Sequence, residues 1–194
     1  MSPVARLNLY HLLSQVLAYN VKGDIVEAGC FRGLTAVFLA EILLHLGSDK
    51  KLYLYDSFEG LPSSTVEDQI EEIGLFAVNT SVVLDNFSGL PKPIICKGWF
   101  QDTMPSQLPS QVAFAHLDCD LYGSIKLALE NIYPRLSTGG IIAIHDYEHP
   151  KFKGVKKAVD EFCLDHNATC QNLNLNTAES WQCYIRKSAK IGML

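Results

Sequence analysis

The sequence has no CxxC pair, no basic cluster and no apolar run long enough to cross a bilayer. Each absence removes a class of protein. The six cysteines, Cys30, Cys96, Cys119, Cys163, Cys170 and Cys183, lack the paired spacing of a zinc ribbon or a disulfide framework. They read as reduced, mostly buried residues of a cytoplasmic protein. Lys and Arg number 16 against 21 Asp and Glu, for a net charge of -5, and no stripe of them stands out. That argues against nucleic acid as a partner. Residues 1–20 are polar-spaced and lack the cleavage pattern of a signal peptide, so neither secretion nor a membrane partner is expected. Charge is scarce at 19%, against 48% hydrophobic residues, the balance of a chain that buries a core. The 194 residues suit one domain over 1–194, with a helical N-terminal segment over 1–22.

What is present is alternation. Apolar runs over 23–29, 50–58, 92–98, 111–118 and 139–146 read as strands. Between and after them lie segments of helical period. In 34–47 the face is Ala36, Leu39, Ala40, Leu43 and Leu44, with Gly47 as the stop; in 122–136 it is Ile125, Leu129, Ile132 and Leu136, with Pro134 marking the end. In 153–166 it is Val155, Ala158, Val159, Phe162 and Cys163. Residues 168–175 and 180–187 look like a closing pair of strands. Continuous apolar strands alternating with helices predict an α/β fold, a parallel sheet covered on both faces. Such sheets bind ligands beyond the carboxyl ends of their strands. Asp56, Asp118, His145 and Asp146 all fall at such ends and would gather on one edge.

The first strand runs into "VEAGCFRGLTA", where Glu27, Gly29 and Gly33 make E-x-G-x-x-x-G and not the G-x-G-x-x-G of dinucleotide folds. The glycines permit a tight turn and close ligand approach; a strand–turn–helix also wants glycine for purely structural reasons. Asp56, at the end of the second strand, is placed to take two ribose hydroxyls. Trp99 and Phe100, in "KGWFQDTMP", follow the third strand, where an adenine could stack. For either aromatic alone, core packing is the better reading. The three features in this order point to a nucleoside.

These stretches, with "YLYDSFEGLP", "FAVNTSVVLDNF", "HLDCDLYGSIKLALENIYPRLSTGGIIAIHDY" and "GVKKAVDEF", resemble the macrocin O-methyltransferase family across residues 20–187. "DSFEGLP" and "LDCDLY" are the most specific of them. The resemblance implies the Rossmann-like class I methyltransferase fold, a mostly parallel seven-stranded sheet whose last strand is antiparallel. It implies S-adenosyl-L-methionine as methyl donor, Mg²⁺ as assisting metal, and a sugar hydroxyl of a natural product as acceptor. By the resemblance, Glu27, Gly29 and Gly33 face the methionine part, Asp56 and Ser57 the ribose, and Gly98, Trp99, Phe100 and Asp102 the adenine. The metal ligands would be Asp118, His145 and Asp146, with Asp118 and His145 also in catalytic roles. The chain departs from the family where His145-Asp146-Tyr147 stands in place of the usual "DDY", and in a short segment before the first strand.

The acids have a chemical reason of their own. A sugar hydroxyl needs its proton removed before it attacks, and a divalent cation can lower its pKa and orient it. Asp118 and Asp146 would otherwise be two acids at strand ends with nothing to balance them. Carboxylates suit Mg²⁺; a histidine nitrogen makes the site more welcoming to Mn²⁺, Fe²⁺ or Zn²⁺. His145 is equally readable as a base or as a structural histidine. Asp120 is readable as the cap of the helix beginning near Tyr122 at least as well as in a catalytic role. His116 reads as a satisfied core residue and His149 as an exposed loop residue that could line an acceptor site. Residues 59–78, acidic and punctuated by Gly and Pro, read as a lid or mobile loop over the site. The leading expectation is an O-methyltransferase for a small hydroxylated acceptor. A methyltransferase for phenols or nitrogen, and a non-catalytic module binding S-adenosylmethionine or its product, remain alternatives, and a homo-oligomer stays open.

Overall fold

The computed structural model describes residues 1–68, 73–173 and 180–189. Seven strands form one sheet: β1 (Asp24–Ala28), β2 (Leu52–Asp56), β3 (Ile94–Lys97), β4 (Val112–Leu117), β5 (Leu136–His145), β6 (Cys170–Asn172) and β7 (Gln182–Arg186). Their order is β3-β2-β1-β4-β5-β7-β6. The first five are parallel, and β7 runs antiparallel to both of its neighbours, β5 and β6. The order reverses between β1 and β4, the switch point at which open α/β sheets bind ligands. Of the stretch 168–175, expected to be strand, β6 takes Cys170–Asn172, and residues 174–175 lie outside the described residues.

The strands are apolar on both sides because both faces are covered. Ile25, Phe114 and Ile141 pack under α1 (Pro3–Ala18), α2 (Leu34–His45) and α3 (Thr80–Asn86). Val26, Ala115 and Ile142 pack under α4 (Phe100–Gln107), α5 (Tyr122–Arg135) and α6 (Lys153–His166). The N-terminal segment is helical as expected: the Ser2 hydroxyl accepts from the Ala5 amide and Pro3 occupies the first turn. Its stripe of Ala5, Leu9, Leu12, Leu13 and Val16 is buried against α2 and β5. No helix of the described residues is long and apolar enough to cross a membrane.

Two local expectations change. Pro134 lies inside the last turn of α5 and not beyond it, and β5 begins at once at Leu136, which pairs with Val112 across a register shift. Asp120 does not cap α5. The N-cap position is Leu121, and the Tyr122 amide donates to Asp68, a residue of the 59–78 segment. Asp68 is 1% exposed and also accepts from the Thr65 amide and hydroxyl, both at 2.8 Å. Residues 61 and 74–75 are pinned to each other by backbone hydrogen bonds, Leu61 N to Leu75 O and Gly74 N to Leu61 O. Over 61–68 the segment read as a lid or mobile loop is thus hydrogen-bonded through Asp68 to the start of α5; its residues 69–72 lie outside the described residues.

Replacing Asp68 by Ala should cost about 1–3 kcal/mol, because it strips a buried helix start and a loop of one shared acceptor. Glu67→Ala, next door and ion-paired to the exposed Lys157 at 3.3 Å, should move the urea midpoint less. Equal midpoints for the two variants would contradict the anchoring role.

Candidate active site

The site begins where β1 and β4 end side by side. Gly29 has φ +80°, and a Cβ there would overlap the Asp118 carbonyl oxygen, so only glycine lets these strand ends approach so closely. The turn that follows is held by Asp56. One of its oxygens accepts the amides of Cys30 and Phe31, each at 2.9 Å, and the other accepts that of Phe58 at 2.8 Å. A carboxylate has roughly four acceptor positions. Three of them are in use within the protein. Gly33, φ +75°, starts α2 and packs on Val83 of α3, where a Cβ would come within 2.8 Å.

Strain collects at the same edge. Phe31, Phe58, Asp120 and Asp146 all have positive φ, one after each of β1, β2, β4 and β5. Non-glycine residues in this region cost of order 1–3 kcal/mol each and persist where surrounding contacts over-determine them. Phe76, φ 70°, meets Phe31 edge-on with centroids 5.3 Å apart.

A cavity of about 580 Å³ opens over this edge. Gly29, Asp56, Ser57, Trp99, Phe100 and Asp118 line it, as do Asp68, Phe76, Asp120 and Ser124. Trp99 and Phe100 are brought to it by the start of α4, a helix the sequence did not announce. Ser57 is occupied locally, donating to Gly60 O and accepting from the Glu59 amide. Glu27, Gly33, Gly98, Asp102, His145 and Asp146 are not in its wall. Gly98 makes the bend into α4, and Asp102 is exposed in that helix's first turn. Glu27 is 1% exposed behind the turn, its Oε1 3.1 Å from His116 Nδ1. Burial, then the Asp118 and Asp56 charges, push the Glu27 carboxyl well up; burial pushes His116 down to about 4. The pair is a neutral hydrogen bond, not an ion pair, so His116 is a core residue as expected. Glu27 is buried with it, and its Oε2 has no partner among the described residues.

At the rim, Asp118, His145 and Asp146 converge, with one donor atom from each lying within 4.8 Å of the others. His145 Nδ1 is 3.4 Å from Asp118 Oδ1 and 3.1 Å from Asp146 Oδ1, yet it is buried and aligned for a hydrogen bond with neither. Burial opposes the charged ring, but the carboxylates of Asp118 and then Asp146 outweigh it and raise His145 to about 9. Beside them Asp120 is pushed up to about 8 by burial and by the charges of Asp118 and Asp146. A misaligned nitrogen between two carboxylates is a donor set that a divalent cation fits. Asp120 is the site residue the sequence reading left aside; its signal was the D-x-D spacing at a strand end.

The architecture is that of a class I methyltransferase. The profile of the macrocin-O-methyltransferase (TylF) family matches residues 1–187, and the chain belongs to that family. It is 39% identical, over 72% of its length and 59% of the relative's, to the 8-demethyl-8-(2,3-dimethoxy-alpha-L-rhamnosyl)-tetracenomycin-C 4'-O-methyltransferase of Streptomyces olivaceus. It is 35% identical, over 80% of its length and 66% of the relative's, to the mycinamicin III 3''-O-methyltransferase of Micromonospora griseorubida. The chain thus spans under two thirds of the length of these curated relatives. The solved structure of the O-methyltransferase NovP superposes with a TM-score of 0.85 at 27% identity, covering 96% of this chain and 80% of that one.

The raised His145 makes a testable pH window in metal-free protein. An unfolded histidine titrates near 6.5 and the folded one at about 9. The imidazolium's contribution to stability is therefore complete below the lower value and is lost as pH rises through the higher one. The urea midpoint should fall across that window, and His145→Gln should flatten the fall. An imidazole resonance of His145 titrating at or below the unfolded value would refute the assignment.

Proposed function

We propose that the chain is an S-adenosylmethionine-dependent O-methyltransferase that methylates a sugar hydroxyl of a glycosylated natural product, assisted by a divalent cation. The observation that carries this is the meeting, on one sheet edge, of a nucleoside-sized cavity and the Asp118–His145–Asp146 donor set. The two curated relatives described above, named for methylation at 4' and 3'' positions, support the same acceptor class.

In this reading the Gly29–Phe31 turn admits the methionine part and Asp56 accepts one ribose hydroxyl. Trp99 and Phe100 flank the adenine. S-adenosylmethionine supplies an electrophilic methyl group on a sulfonium. A cation at the triad would lower the acceptor hydroxyl's pKa. Asp118 and Asp146 would hold it with His145 as the third ligand; the nitrogen admits Mn²⁺ beside Mg²⁺. Asp120, lining the cavity beside Asp118, is a candidate, once ionised, to receive the hydroxyl proton. The fastened 61–68 wall keeps water from the transfer.

Asp118→Asn should lower metal-stimulated transfer to glycosylated polyketide or macrolide acceptors by about 100-fold or more. Binding of S-adenosylhomocysteine, read by calorimetry, should stay within a few-fold. Chelator-treated wild-type protein should be inactive and recover with Mg²⁺ or Mn²⁺. Full activity after chelation would remove the metal from the reading.

A further inference from the structure

The order of the strands sets the order of the cavity's parts. Trp99 and Phe100 enter at the start of α4, after β3; Asp56 ends β2; the turn over 29–33 follows β1, beside β4 and Asp118. A nucleoside with its base against Trp99 and its ribose at Asp56 directs its 5' substituent to the β1 turn. In S-adenosylmethionine that substituent carries a sulfonium, an ammonium and a carboxylate. The two cations suit this wall, which holds the carboxyl groups of Asp56, Asp68, Asp118 and Asp120. The carboxylate meets like charge there and needs a cation of its own.

Among the described residues the one cationic side chain in the wall is that of Arg32. Arg32 stands exposed on the β1 turn itself, between left-handed Phe31 and Gly33. The backbone around it is fixed. The Phe31 amide donates to Asp56 at 2.9 Å, and the Arg32 carbonyl accepts from the Asn86 side chain at 2.9 Å. The guanidinium is uncommitted: its carbon lies 5.1 Å from the centre of the Phe31 ring, itself part of the cavity wall, and it makes no hydrogen bond or ion pair among the described residues. A ring face is a weaker partner for arginine than a carboxylate, which meets the planar fork with two parallel charge-assisted hydrogen bonds.

We propose that Arg32 anchors the amino-acid carboxylate of the methyl donor. With adenine held at one end of the cavity and the carboxylate at the other, the sulfonium between them is set in place beside Asp118. This rests on the reading of the cavity as the S-adenosylmethionine site.

Two nucleosides separate the anchor from the rest of the site. S-adenosylhomocysteine carries the carboxylate; S-adenosyl-3-thiopropylamine keeps the nucleoside, the thioether and the amine and lacks only the carboxylate. By calorimetry, Arg32→Gln should weaken S-adenosylhomocysteine about tenfold or more and leave the decarboxylated compound within about twofold. Arg32→Lys, which keeps the charge and loses the fork, should fall between wild type and Arg32→Gln. Unchanged affinity for S-adenosylhomocysteine in Arg32→Gln overturns the anchor. Equal weakening of both compounds overturns it too, because the loss then has nothing to do with the carboxylate. If the wild-type protein binds neither compound, the nucleoside reading of the cavity fails and the anchor falls with it; if it binds both and Arg32→Gln does not tell them apart, the anchor alone falls.

Discussion

The site depends on how closely the ends of β1 and β4 approach. The Asp118 carbonyl oxygen occupies the space a side chain at position 29 would need, so the turn after β1 and the first acid of the triad are set by one backbone contact. Asp56 reinforces it from β2 by accepting the amides of Cys30 and Phe31. A shift of either strand would move both halves of the site together. The proposed methyl transfer would demand that coupling, because donor and acceptor must meet in line within a narrow tolerance.

The cost of this arrangement is visible in the backbone. Left-handed Phe31, Phe58, Asp120 and Asp146 sit one after each of four parallel strands. Three carboxylates and a histidine are crowded beside them, and burial with mutual repulsion raises Asp120 far above an ordinary acid. Strain and charge crowding at one edge, over a core that is otherwise apolar, is the pattern of a fold that stores its irregularities where it works. The buried Glu27–His116 pair gives that edge a neutral polar floor and adds no further charge.

Much of this could be read from the sequence, for reasons of range. Strand ends follow from apolar runs, so the gathering of Asp56, Asp118, His145 and Asp146 followed from pattern alone. The parallel sheet followed from strands apolar on both faces. Contacts between residues far apart in the chain left no such trace. Nothing near Tyr122 announces that Asp68, 54 residues away, accepts its amide. Glu27 gave no sign of its partner His116, 89 residues distant. His149 looked exposed because Trp181, which flanks it, lies far along the chain, just before β7. α4 was hidden by its shortness and by Pro105 within it.

The central claim is that Asp118, His145 and Asp146 hold a divalent cation beside the nucleoside cavity. Crystals grown with S-adenosylhomocysteine and Mn²⁺, measured for anomalous scattering, test it most directly. The account expects one strong manganese peak within coordination distance of all three side chains, with the nucleoside against Asp56 and Trp99. A nucleoside bound in that place with no peak at the triad, and His145 hydrogen-bonded to one of the aspartates instead, would contradict it.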